Sequence, residues 1–171
     1  QNAVAGSVAT EANLAIGRFT GSQVTLKTAM AYLGFTCEFG HHFIGSIRLT
    51  ADQNLAGTAE LDLEEGSPVS SITGDGSKSI TLAAAPKFLN GKTYFFAVLP
   101  GEYTGVKLTV LNKNGETKVL EVGDVKAVRN TDRLLTSISL QADAWSNEPV
   151  DDGNLPGPYT SAAGTVKWDD G

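Results

Sequence analysis

An unbroken apolar run, Tyr94-Phe95-Phe96-Ala97-Val98-Leu99, ends at Pro100-Gly101, and after a short polar loop Val106-Lys107-Leu108-Thr109-Val110 alternates apolar with polar. The run is too short for a helix that must bury itself on every side. It suits a strand covered on both faces, in the middle of a sheet or facing a second sheet. Pro100 has no N–H to continue a ladder, and Gly101 supplies turn freedom. The alternating stretch suits a strand with one face in the core.

The same period of two recurs along the chain. It predicts strands over 24–27, 30–39, 44–50, 58–63, 78–82, 93–99, 106–111, 117–122 and 134–140. In the second of these, Phe35, Cys37 and Phe39 share one face. Strands 44–50 and 58–63 are separated by few residues, which predicts an antiparallel hairpin, with Ala59, Leu61 and Leu63 inward. Asn112-Lys113-Asn114-Gly115 marks the clearest hairpin, between 106–111 and 117–122. Inside it, Val106, Leu108 and Val110 face Val122 and one of Val119 and Leu120. Lys107 and Thr109 lie opposite Glu116, Lys118 or Glu121, depending on register. Residues 64–77 read as loop, 123–132 as irregular, and Leu134, Thr136, Ile138 and Leu140 as one face of the last firm strand. Asn90-Gly91 is a strong turn dipeptide.

About nine short strands with regular turn signals and no convincing long helix point to an all-β protein. The expected architecture is an antiparallel two-layer β-sandwich, with a closed barrel as the alternative. Nineteen glycines against one methionine and one cysteine favour the same class. The 171 residues suffice for one well-buried domain. The expected layout is an N-terminal arm or edge strand over 1–21, a sandwich over 22–145, and a Pro/Gly-rich tail over 146–171. The tail holds Pro149, Pro156 and Pro158, half of the six prolines.

Chemistry is harder to find. A net charge of −6 and a pI near 4.8 argue against nucleic acid as a partner, because phosphate binding needs clustered Lys and Arg. Cys37 is alone and cannot form an internal disulfide. His41 and His42 read as solvated loop residues, since a metal site needs a third ligand that the sequence does not offer. Asp75 between Gly74 and Gly76 lacks calcium-loop spacing and reads as a turn. No phosphate loop, zinc signature or nucleophile elbow is present, so neither a catalytic residue, a metal nor a cofactor is expected, and the chain is not expected to be an enzyme. Gln1-Asn2-Ala3-Val4 has no charged or apolar leader character, and no run approaches a membrane span. Pattern alone leaves either a cytosolic protein or the mature part of an exported one.

The order of these pieces carries a resemblance. Ala29-Met30-Ala31-Tyr32-Leu33-Gly34-Phe35-Thr36 is followed by Ile44-Gly45-Ser46-Ile47-Arg48-Leu49-Thr50, then by Leu55-Ala56-Gly57-Thr58-Ala59-Glu60-Leu61. After Ser79-Ile80-Thr81-Leu82 comes Gly91-Lys92-Thr93-Tyr94-Phe95-Phe96-Ala97-Val98-Leu99-Pro100-Gly101. Over roughly residues 22–140 this resembles the fimbrillin family of Bacteroidetes surface proteins, the main and accessory subunits of fimbriae. The resemblance implies a transthyretin-like, Greek-key sandwich, export as a lipoprotein, display at the outer membrane through a precursor lipid anchor, and assembly with other fimbrial subunits by strand donation. It also implies removal of an N-terminal segment by an arginine-directed protease, for which Arg18 is the candidate site. Members usually have two sandwich domains, so one sandwich implies a single-domain relative or an excised domain. Cys37, inside a strand, is not the lipid anchor.

The function expected on these grounds is a structural or adhesive subunit of a cell-surface appendage, extracellular, with host or bacterial surface ligands as further partners. Edge strands of an open sandwich carry unpaired N–H and C=O groups that accept an added strand. The alternative is an extracellular carbohydrate-binding module that stacks sugars on Trp145, Tyr159 and Trp168.

Overall fold

The computed structural model describes residues 1–38, 44–60, 72–83, 88–112, 115–139, 159–161 and 164–166. Its strands are β1 (Ala15–Thr20), β2 (Gln23–Thr28), β3 (Ala31–Glu38), β4 (Ile44–Thr50), β5 (Ala56–Ala59), β6 (Ile72–Ser77) and β7 (Ser79–Ala83). They continue with β8 (Thr93–Val98), β9 (Gly101–Asn112), β10 (Thr117–Ala127), β11 (Asp132–Ser139), β12 (Tyr159–Ser161) and β13 (Gly164–Val166). The one helical element among the described residues is a single 3₁₀ turn, Thr10–Ala12.

A four-stranded sheet in the order β10-β9-β4-β7 and a three-stranded sheet in the order β11-β3-β8 make the two layers. Their inner faces meet in one core. Ile47, Leu49, Leu82, Leu108 and Val110 come from the first sheet, and Leu33, Phe35, Cys37, Phe96 and Val98 from the second. Each of these is at most 1% exposed, which is the period of two carried into three dimensions. The expected all-β two-layer sandwich is present, and the sheets are separate rather than closed into a barrel.

Several local expectations hold. Phe35 and Cys37 share the inner face of β3. The β9–β10 hairpin pairs Leu108 with Leu120 and Lys107 with Glu121. Leu120 and Val122 pack on the core, whereas Val119 is exposed. Asn112 ends β9 fully buried, yet its side chain is satisfied: Nδ2 donates to Glu116 Oε2 at 2.7 Å, and Glu116 N–H donates to Asn112 Oδ1 at 2.8 Å.

Others are corrected. Of the two settings expected for the β8 run, the second holds: it faces the other sheet across the core, and it forms one edge of its own sheet and not the middle. Its apolar density reflects burial of Tyr94, Phe96 and Val98 in the core and of Ala97 on the other face. Strand β5 does not pair with β4; β4 pairs with β7 and β9, and β5 pairs with β6. Residues 72–77, expected as loop, form β6, so Asp75 lies in a strand and not in a turn. Residues 123–127 extend β10, because register shifts at Gly123 let the strand bend and return Val125 and Ala127 to the core. Finally β11 runs parallel to β3, and a shift between Leu134 and Thr136 leaves Leu134 56% exposed while Leu135 packs on the core. Leu61, Leu63, Phe39 and Leu140 lie outside the described residues.

Candidate functional site

The feature that joins the two layers is a seam between the edge strands β7 and β8, filled by residues 1–6. Asn2 bridges Ala83 in parallel. Ala83 N–H donates to the Gln1 carbonyl at 3.3 Å, and Ala3 N–H donates to the Ala83 carbonyl at 3.1 Å. The Gln1 side chain reaches the other sheet. Its Nε2 donates to the Ala97 carbonyl at 3.1 Å, and its Oε1 accepts from Ala97 N–H at 3.2 Å. Gly6 N–H then donates to the Thr93 carbonyl at 2.7 Å. Small residues suit this narrow position, and Ala3 packs against the core. Neither β7 nor β8 carries a charged residue. By contrast β10 carries Lys118, Glu121, Asp124 and Lys126, and β11 opens with Asp132 and Arg133. Charges and bulges on an edge deter added strands; β7 and β8 carry neither, and residues 1–6 are what covers them.

From Gly6 the chain crosses the outer face of the three-stranded sheet and ends at Asn13, whose Oδ1 accepts a hydrogen bond from Tyr32 Oη at 2.8 Å. Beneath it lies a cleft of ≈ 360 Å³ that includes Tyr32, Phe95, Asn130 and Asp132 in its lining. A second cleft, ≈ 470 Å³, lies by residues 52–54 and 99–103. Its polar groups satisfy one another. Gln53 Nε2 donates to Thr104 Oγ1 at 2.9 Å, Thr104 N–H donates to Gln53 Oε1 at 2.8 Å, and Thr104 Oγ1 donates to Asp52 Oδ2 at 3.0 Å. Gly105 makes this possible: its φ is +60°, and a Cβ there would stand 2.8 Å from Asp52 Oδ2.

The residues singled out from sequence are not brought together. Arg18 lies in β1 opposite Thr25, and Tyr159 in β12 opposite Val166. Trp145, Trp168, His41 and His42 lie outside the described residues. Cys37 is 0% exposed, and burial pushes its thiol pKa up, away from the thiolate form. Among the described residues no group of three or more His, Cys, Asp or Glu is placed to hold a metal ion. No helix among them is long and apolar enough to cross a membrane, which says nothing of a β-barrel. The sequence offered residues 1–21 as an arm or edge strand able to cover a sandwich edge, and residues 1–6 do lie along β7 and β8; which edge they cover was not legible, since Gln1 and Ala3 carry no pattern of their own. The polar cluster Arg129-Asn130-Thr131-Asp132 was visible as a loop signal but not as the wall of a cleft.

The class defined by these features is a two-layer β-sandwich with residues 1–6 lodged between the edges of its sheets. No protein-family model matches the chain, and no curated protein matches it. Solved structures do resemble it. One is a proposed cell adhesion protein from Bacteroides uniformis, at 17% identity and a TM-score of 0.49, covering 75% of this chain and 50% of that one. Others from Bacteroides ovatus and Bacteroides fragilis, also proposed cell adhesion proteins, match at 12% and 18% identity with TM-scores of 0.47 and 0.45. They cover 66% and 68% of this chain, and 41% and 44% of their own. The chain thus spans half or less of the length of each.

Proposed function

We propose that the protein is a structural or adhesive subunit of a cell-surface fimbria, fimbrillin-like, that joins other subunits by β-strand addition at a sandwich edge. It acts at the outside of the cell, held at the outer membrane through its precursor's lipid anchor, and performs no catalysis. The observation that carries this reading is the seam. A short segment sits between two uncharged edges, held by four main-chain bonds, one of them from Gln1 N to the Thr81 carbonyl at 3.1 Å, and by one side-chain amide. Each such bond contributes about 0.5–1.5 kcal/mol net, so a longer strand from a neighbour that pairs along the whole of β7 or β8 would outcompete it. Arg18 fits the same picture, because cleavage after it would release residues 1–18 and the seam segment with them.

The test is a chain that begins at Phe19. It should form concentration-dependent oligomers in sedimentation, and excess peptide covering residues 1–14 should return it to monomer. If the shortened chain keeps its β circular-dichroism signal, stays monomeric and takes up no peptide, strand addition at this seam is wrong.

A further inference from the structure

We infer that the cleft between the crossing segment 6–13 and the outer face of the three-stranded sheet is a binding site for a neutral saccharide. This goes beyond assembly through the seam, and it places sugar recognition away from Trp145, Tyr159 and Trp168.

The floor is apolar and held from below. Phe95 projects from β8 on the outer face, and its ring sits over Gly34 of β3. A Cβ on Gly34 would stand 2.7 and 2.8 Å from ring carbons Cε1 and Cδ1. Glycine therefore lets the ring bed down on the sheet, and Phe95 is half-buried and lines the cleft. Tyr32, one strand over, completes the floor. Its hydroxyl lies 2.8 Å from Asn13 Oδ1 and 3.0 Å from Thr28 Oγ1, which orients Asn13 and leaves the Asn13 Nδ2 protons unused.

The wall is polar and solvent-exposed. The Asn130 carboxamide and the Asp132 carboxylate are both exposed and make no hydrogen bond among the described residues, so their polar atoms are open to water or to a ligand's hydroxyls. The turn that carries Asn130 is fixed. Asn130 N–H donates to the Met30 carbonyl at 2.9 Å, while the Thr131 backbone and hydroxyl donate to the Val128 carbonyl at 3.2 and 2.7 Å. Asn130 itself has φ +57°, a conformation that asparagine tolerates better than most residues.

An aromatic floor with convergent amide and carboxylate groups is matched by a ligand with one apolar face and a rim of hydroxyls. A pyranose ring has both: C–H groups for the ring of Phe95, and adjacent hydroxyls that donate to Asp132 and exchange hydrogen bonds with Asn130 and Asn13. The cleft volume falls at the low end of small-molecule sites, about 300–1,000 Å³, which suits the end of a glycan.

The full chain, ¹⁵N-labelled, would be titrated with the methyl glycosides of glucose, galactose, mannose and fucose. At least one should give saturable millimolar shifts confined to amides around Tyr32, Phe95, Asn130 and Asp132. Asn130→Gly keeps the backbone conformation while removing the amide, and Asp132→Ala removes the carboxylate. Each should weaken binding about tenfold, the scale of one lost hydrogen bond, with an unchanged melting temperature. The inference is overturned if no glycoside gives a saturable shift, if both variants bind as the parent does, or if calcium alone moves these amides. Because residues 6–13 form one side of the cleft, the site belongs to the chain with residues 1–18 still in place; strand addition at the seam is read out separately, by oligomeric state, so failure here leaves it standing.

Discussion

Phe35 sits where three other rings meet. Its centroid is 5.6 Å from Phe96, 5.9 Å from Tyr94 and 6.1 Å from Phe88, and Phe88 and Tyr94 meet edge to face at 4.9 Å. Phe35→Ala should cost about 3–5 kcal/mol, read as a lower urea midpoint at unchanged slope. The titration of two buried groups belongs to this scale too. Tyr103 is 5% exposed, with its hydroxyl donating to the Leu99 carbonyl at 2.8 Å, and burial pushes its pKa from 10.0 up to about 12. The Cys37 thiol is pushed up from 9.0 by the same cause. The folded chain therefore keeps protons that the unfolded chain sheds. Their contribution is intact below about pH 9 and declines as pH climbs toward 12, because bound protons then favour the native state less with each added unit. Urea midpoints at pH 8, 9.5 and 11 should fall in that order, and Cys37→Ala should flatten the first part of the fall. Equal slopes in parent and variant would mean that the thiol is not protected in the fold.

Among elements, β11 shows most clearly what spacing does and does not specify. Its alternation is legible in Leu134-Leu135-Thr136-Ser137-Ile138, but two leucines in succession leave the phase open. The shift after Leu134 decides it, turning Leu135 to the core and Leu134 to solvent. Leu135→Ala should cost about 2 kcal/mol and Leu134→Ala under about 0.5 kcal/mol; thermal denaturation of the two variants separates them, and the reverse order would put the shift elsewhere. The β9–β10 hairpin was easier, since its turn residues and its charges agree. Lys107 Nζ lies 2.9 Å from Glu121 Oε1, a pair that is exposed and worth little in stability. The smaller cleft was not legible, because Phe95 stands far in sequence from the turn that carries Asn130 and Asp132 and meets it only across strands.

Over the whole molecule, protection should follow burial. The ladders of β3, β4 and β9 lie inside their sheets and over the core, whereas β1 and β2 make a ribbon whose Phe19, Val24 and Leu26 are 66%, 53% and 66% exposed. A two-stranded ribbon alone is marginal in water. Hydrogen exchange should be slowest in β3, β4 and β9 and fastest in β1 and β2, with residues 1–6 intermediate. Protection of the ribbon equal to that of β9 would mean that something covers its apolar face.

Sequence alone determined that this chain builds strands and that those strands have one apolar face. Both follow from a period of two, which is a property of neighbouring residues. Only the tertiary structure decided that β4 lies beside β9, that β11 runs parallel to β3, and that residues 1–6 close the seam. Those outcomes depend on distant segments competing for the same edge hydrogen bonds and the same core volume, and local spacing says nothing about which competitor wins.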